Sequence, residues 1–253
     1  MPTGLGGEEL WLSPTVANNV NPFDDQSGNG NNGTGQGGIS TISDTGAGGS
    51  FAYDCDGVND YIDCGSGISL SGSNLSIAFW LKADVIPTQN NVYVTLMAKG
   101  NESGITPFDI SFAGIGQATN LRFFTYDGSL NGITSYTTSM STAQWYHVCG
   151  VYDNQDFKLY VDGLSVATQS YTGGITDNSA NINVAALEIN AAPQRYFNGK
   201  LDDARLYKRA ITQSEITHLA TSRGVLGPPG GDNYSPFRNA KYINRTYQIP
   251  RFG

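Results

Sequence analysis

The feature that most constrains this chain is a change of rhythm at Phe51. From there onward, short runs in which apolar and polar residues alternate are separated by Gly, Asn and Asp. A period of two places successive side chains on opposite faces of a strand, and the interrupting residues are those that make tight turns. Phe51–Cys55 and Asp60–Cys64 read as strands around the turn Asp56-Gly57-Val58-Asn59. Further strands are expected at Leu75–Lys82, Val92–Ala98, Phe108–Phe112, Leu121–Tyr126, Trp145–Tyr152, Phe157–Val161, Leu164–Tyr171, Ile182–Ile189 and Tyr196–Tyr207. Asp162-Gly163 has the composition of a type I′ hairpin turn. Upstream, Leu10-Trp11-Leu12 is a first strand or an anchor. One helix is expected, at Thr212–Ser222, with Thr212 and Glu215 spaced as a capping box. Ile216, Leu219 and Ala220 form its apolar face, and His218 is expected to be exposed. Strands at this spacing with one helix define an all-β sandwich or barrel.

Composition agrees. The chain has 253 residues, enough for one core, with 32 Gly, 14 Tyr and 11 Phe, and only 14% charged residues. No apolar run is long enough to span a membrane as a helix. The first residues lack a basic n-region and an apolar h-region, so no secretory signal is seen. The net charge of -8 argues against nucleic acid as a partner. That charge is uneven. From Gly227 on, Arg238, Lys241, Arg245 and Arg251 face one acid, Asp232, giving +3, so the rest carries -8 - 3 = -11. Gly227-Pro228-Pro229-Gly230-Gly231 is a linker signal, and the stretch after it is too aromatic for a freely solvated tail. Three cysteines, Cys55, Cys64 and Cys149, are too few for a disulfide framework and leave at least one thiol free. Whether Cys55 pairs with Cys64 is left open. Gly28-x-Gly30-x-x-Gly33 matches a dinucleotide fingerprint in form alone, because no strand precedes it and no helix follows.

Several blocks, in order, resemble the laminin-G-like, concanavalin A-like family. They are Asp25-x-Ser27-Gly28-Asn29-Gly30-Asn31-Asn32-Gly33-Thr34, Tyr53-Asp54-Cys55-Asp56-Gly57-Val58-Asn59-Asp60-Tyr61-Ile62 and Leu75–Lys82. Trp145–Asp153, Leu159–Gly163 and Phe197–Tyr207 followed by Arg209-Ala210-Ile211 and Glu215-Ile216 complete the series, which covers roughly residues 23–220. The resemblance implies a two-sheet antiparallel jelly-roll sandwich with one short C-terminal helix and an extended C-terminal arm. The division expected is an N-terminal segment (1–22), the jelly-roll domain (23–226) and the arm (227–253). Trp80 and Trp145 are expected to point inward as large core residues, with Phe79 and Leu81 on the face opposite Trp80.

Enzymes sharing this sandwich carry two glutamates on one strand, and the nearest segment here, Phe108-Asp109-Ile110-Ser111-Phe112, has neither. His147 reads as structural, no Gly-x-Ser-x-Gly elbow occurs, and catalysis is not expected. The resemblance implies a structural Ca²⁺ held by Asp25, Asn29, Asn32 and Asp203, with Asp202 as a further ligand, since Ca²⁺ takes hard oxygen donors. The alternative is that Asp25 and the asparagines cap turns while Asp202 or Asp203 pairs with Arg205. Asp54, Asp56, Asp60 and Asp63 lack EF-hand spacing and read as turn chemistry. Glycan-binding relatives present rings and polar groups on rim loops, which makes Tyr126, Asp127, Tyr136, Asn190 and Arg195 the ligand-binding candidates. Tyr234, Phe237, Arg238, Tyr242, Arg245, Tyr247, Arg251 and Phe252 are the candidates for docking through the arm. The expected function is a non-catalytic, multicopy attachment protein, either phage virion structural (capsid decoration or tail fibre) or extracellular. Its alternatives are a secreted bacterial carbohydrate-binding lectin module and, third, a degenerate glycosidase.

Overall fold

The structure, a computed structural model, describes residues 5–14, 21–72, 74–100, 104–115, 118–189, 192–221 and 223. The chain runs through β1 (Glu8–Leu12), β2 (Thr34–Gln36), β3 (Ser40–Ser43), β4 (Phe51–Asp56), β5 (Tyr61–Asp63) and β6 (Leu75–Ala83). It continues with β7 (Tyr93–Lys99), β8 (Thr106–Ile115), β9 (Ala118–Tyr126), β10 (Leu130–Thr137), β11 (Tyr146–Tyr152) and β12 (Asp156–Val161). Then follow β13 (Leu164–Ser170), β14 (Ile182–Val184), β15 (Leu187–Ile189), β16 (Ala192–Gln194), β17 (Asn198–Tyr207) and the helix α1 (Gln213–Leu219). Two antiparallel sheets form the sandwich. One has the order β13-β12-β11-β6-β17-β4-β3 with β1 also paired to β17, and the other β10-β9-β8-β7-β14-β5-β2. A separate ribbon pairs β15 with β16. The expected all-β fold is observed, and β1 pairs with β17 in the larger sheet.

Alternation sets the core. Leu75, Ile77, Phe79, Leu81 and Ala83 of β6 pack between the sheets with Phe108, Ile110 and Phe112 of β8 and Leu121 and Phe123 of β9. The intervening residues Ser76, Ala78 and Trp80 of β6 are buried too, because α1 covers the other face. Ala78 joins Cys149, Val151, Tyr207, Ile216 and Leu219 in a second cluster there. The capping box forms as expected, with Thr212 accepting from the Glu215 amide and the Glu215 side chain closing on the Thr212 backbone. Val161 and Leu164 pair across Asp162-Gly163, whose φ values of 50° and 79° are those of the expected primed turn.

Four expectations need correction. Trp80 lies on the outer face of its sheet, under α1, with its ring 5.5 Å from His147 and its indole N–H donating to Leu219 O at 3.2 Å. A sheet covered on both faces gives a large ring two buried destinations, and the helix C-terminus offers the carbonyl that the indole needs. Trp145 precedes its strand and also sits outside, stacked on Arg223 at 3.9 Å and donating to Asp44 Oδ1 at 3.1 Å. His218 is buried, not exposed, on the α1 face that meets the sheet. Ile182–Ile189 is not one strand, since Ala185 turns at φ 73° and divides β14 from β15. Cys55, Cys64 and Cys149 are free, buried thiols, all pushed well above the usual thiol range by burial.

Candidate functional site

The residues expected to hold Ca²⁺ form a latch between the first loop and β1. Asp25 Oδ1 accepts from the Trp11 and Ser27 amides, each at 2.9 Å. Its Oδ2 accepts from Ser27 Oγ at 2.8 Å and the Asn31 amide at 3.0 Å. Asn32 Oδ1 accepts from the Asp25 amide, and Asn29 Nδ2 donates to Glu8 O. Asp203 sits elsewhere on Trp11: its Oδ1 accepts from the indole N–H at 2.6 Å and meets Arg205 at 2.8 Å. Oxygens already holding N–H and O–H donors, divided between two ends of Trp11, do not fit a shared calcium cage. Among the described residues no group of three or more His, Cys, Asp or Glu is arranged to hold a metal. The geometry is that of the turn-capping and Asp203–Arg205 alternative.

A built cavity lies elsewhere, on the outer face of the seven-stranded sheet. Antiparallel partners project to one side, so register defines this face. Thr95 pairs with Ser111, which pairs with Arg122, and Asp109 pairs with Phe124. The rows Thr95-Ser111-Arg122 and Asp109-Phe124 therefore point away from the core while Phe123 points into it. From above, the β15–β16 ribbon brings in Leu187 and Arg195. The Arg195 carbonyl accepts from the Thr95 amide at 2.9 Å. Arg195 has a φ of 59°, a backbone conformation that side-chain-bearing residues rarely adopt and that aims its side chain back over the sheet.

Tyr93, Phe124, Tyr126, Arg122, Arg195, Thr106 and Leu187 enclose about 300 Å³. Both guanidiniums reach the Tyr93 ring, Arg195 at 4.6 Å and Arg122 at 4.8 Å, and Arg122 also lies 5.1 Å from Phe124. Beneath the lining, Asp109 and Ser111 are fully buried, and neither Asp109 Oδ1 nor Ser111 Oγ meets a hydrogen-bond partner at full geometry. Burial raises the Asp109 carboxyl above the usual carboxylate value, against the opposing pull of Ser111, Arg122 and Arg195. The site thus offers stacking rings, fixed cations and hydroxyls over a polar floor.

The ligand candidates divide. Tyr126 and Arg195 line this cavity together. Asp127 caps the β9–β10 turn, accepting from the Ser129 amide. Tyr136 packs against the sandwich core. Asn190 and the arm residues 234–253 lie outside the described residues. Missed from the sequence were Tyr93, Arg122, Phe124, Thr106 and Leu187. The alternation Arg122-x-Phe124-x-Tyr126 carried a signal for three of the lining positions.

With two sheets in this order and a ligand-sized cavity on one outer face, the chain is a lectin-type β-sandwich. It belongs to the family described as the Concanavalin A-like lectin/glucanases superfamily, whose pattern matches residues 56–217. Among solved structures it is similar to domain 4 of AbnA, an extracellular arabinanase of Geobacillus stearothermophilus, in complex with arabinotriose. That likeness has a TM-score of 0.62 at 21% identity and covers 84% of this chain and 99% of that one. It is also similar to the receptor binding domain of botulinum neurotoxin C/D mosaic serotype, with TM-score 0.63 at 15% identity over 85% of this chain and 51% of that one. A curated relative, mouse (Mus musculus) Pappalysin-1, is 33% identical over 86 residues, which are 34% of this chain and 5% of that protein. The chain thus spans a small fraction of that relative's length. Among the described residues no helix is long and apolar enough to cross a membrane.

Proposed function

We propose that this chain is a non-catalytic glycan-binding module whose ligand sits in the cavity over β7, β8 and β9. The observation that carries the reading is the convergence of Tyr93, Phe124 and Tyr126 with two arginines in one ligand-sized hollow. Aromatic rings stack on the C–H faces of sugars, and a few placed polar groups fix their orientation. The arabinotriose complex of AbnA domain 4 supports the same reading at the level of fold. Glycoside cleavage uses two carboxylates flanking the scissile bond, and the seven lining residues include none. Tyr93→Ala and Tyr126→Ala are each expected to weaken saccharide binding about tenfold or more, the scale of a lost aromatic anchor. Titration calorimetry on variants with unchanged thermal melting checks this. Undiminished binding in both would move the site elsewhere.

A second reading concerns residues 227–253, whose +3 charge and aromatic content contrast with the -11 of the rest. In this reading the chain is a multicopy attachment protein of a phage particle, docked through Tyr234, Phe237, Arg238, Tyr242, Arg245, Tyr247, Arg251 and Phe252. Many weak glycan contacts then add through avidity. The full chain is expected to co-sediment with particles from its source, and a chain ending at Leu226 to stay in the supernatant. Equal sedimentation of both contradicts docking through the arm.

A further inference from the structure

We propose that the C-terminal arm, residues 234–253, seats its aromatic side chains in an apolar groove on its own sandwich, beside the β6–β7 connection. The groove is a second hollow, of about 390 Å³, and its lining includes Val85, Ile86, Pro87, Val92, Val94 and Tyr196. A cavity of roughly 150 Å³ admits a benzene-sized ring, so this one has room for more than one aromatic side chain. Exposure singles the groove out. Among the described residues the exposed large hydrophobics are Val58, Val85, Val92 and Leu164. Val85 and Val92 line the groove, and Val58 follows Gly57 of its wall. Single exposed apolar residues need no explanation, but three gathered at one hollow mark a surface built for a partner. The seat belongs to the free chain and goes beyond both readings above: binding of the arm to a particle would require leaving it.

The fold roots the arm beside this groove. Arg223 is fully buried, lies over the Trp145 ring at 3.9 Å, meets Asp202 at 3.0 Å and donates its backbone N–H to Ala47 O at 2.7 Å. It also meets Asp44, the carboxylate that Lys82 holds. Lys82 is the penultimate residue of β6, and Val85 comes three positions later. The root of the arm is therefore anchored at the end of β6 from which the groove-lining connection departs. An extended chain advances about 3.3 Å per residue, so residues 224–233 alone span up to roughly 30 Å. That is far more than the three residues from Lys82 to Val85 cover. Charge agrees. Asp84 precedes Val85, Asp56 precedes Gly57, and Asp54 is joined to Asp84 through Lys200, which pairs with both. Three carboxylates thus stand around the groove against one cation. Residues 234–253 carry no acid and interleave Arg238, Lys241, Arg245 and Arg251 with Phe237, Tyr242, Tyr247 and Phe252. Rings placed in the groove bring those cations to its acidic border.

The test uses the full chain with Val58, at the border of the groove, replaced by the photoreactive residue p-benzoylphenylalanine. Irradiation of an equal mixture of ¹⁴N- and ¹⁵N-labelled chains, followed by peptide mass spectrometry, should join position 58 to peptides of residues 234–253 within one isotope. The same photoreactive residue in place of Leu164, exposed on the edge strand β13, should capture no arm peptide. Crosslinks found only between the two isotopes overturn a seat on the chain's own body and give the groove to the arm of a second copy. No arm peptide at position 58, or as much from position 164, overturns the seat altogether. A second measurement leaves the groove free of the bulky probe. Trypsin cleavage after Arg238, Lys241 and Arg245 follows the population of released arm, and Val85→Lys and Val92→Lys should each speed it about tenfold. Both positions are exposed, and circular dichroism confirms that each variant is folded. Leu164→Lys should leave the rate unchanged. Cleavage as slow in both groove variants as in the parent also overturns the proposal.

Discussion

Arg205→Met is expected to lower the unfolding free energy by about 3–5 kcal/mol, the cost of removing one partner from a buried ionic group. Arg205 lies within the sheet with 1% of its side chain exposed, bonded to Asp203 at 2.8 Å and Glu8 at 3.3 Å. Its guanidinium also covers the Trp11 ring at 4.0 Å. These contacts fasten β1 to β17 at a bulge where Asp203 adopts a φ of 55°. Methionine fills much of the volume but strands two carboxylates, Glu8 and Asp203, away from water. Chemical denaturation should show a lowered midpoint with an unchanged slope. A double variant, Arg205→Met with Asp203→Asn, should recover part of the loss, because the penalty belongs to the orphaned charge. A single variant as stable as the parent would show that the buried group is not holding the edge.

Acid should unfold the protein largely through His147. Its ring is buried beside that of Trp80, its cross-strand neighbour, and Nδ1 has no hydrogen-bond partner among the described residues. Burial, helped by Arg205, lowers its pKa to about 3 from an ordinary value of 6.5. The unfolded chain therefore takes up a proton near pH 6.5 while the folded one refuses it until about pH 3. Stability is held in full above the first value and drains as pH falls toward the second, by about 5 kcal/mol on linkage. Asp202 acts in the opposite sense. Burial and the neighbouring Asp203 raise it to about 7, so it costs stability as pH climbs from the ordinary carboxylate range toward neutrality. His147→Phe, which keeps the packing against Trp80, isolates the first effect. Its acid-unfolding midpoint should move to lower pH, with little change at pH 7. The same midpoint in both proteins would place acid sensitivity elsewhere.

The periodic strands were legible where burial on one face imprints alternation, as in Leu121–Tyr126 and Phe157–Val161. The short polar strands were not. Thr34–Gln36, Ser40–Ser43 and Ala192–Gln194 are made by pairing to neighbours, and nothing in three or four mostly small or polar residues announces that. Which face Trp80 occupies was equally hidden, because α1 buries the outer side of its sheet as thoroughly as the core buries the inner one. Asp203–Arg205 was readable from spacing as one of two alternatives, and the two side chains meet at 2.8 Å. The cavity was half visible. Tyr126 and Arg195 were picked as ring and cation near loops, but Tyr93 and Leu187 join them only through sheet register and the fold-back of β15–β16.

The account stands or falls on where a saccharide lands. The direct measurement is an NMR titration of the full chain with the saccharide that binds most tightly in calorimetry, following backbone amides. Shifts concentrated in β7, β8, β9 and the β15–β16 ribbon, around Tyr93, Thr106, Arg122, Phe124 and Arg195, are predicted. Shifts centred instead on the Asp25–Asn32 loop and Asp203, with the cavity silent, would contradict it.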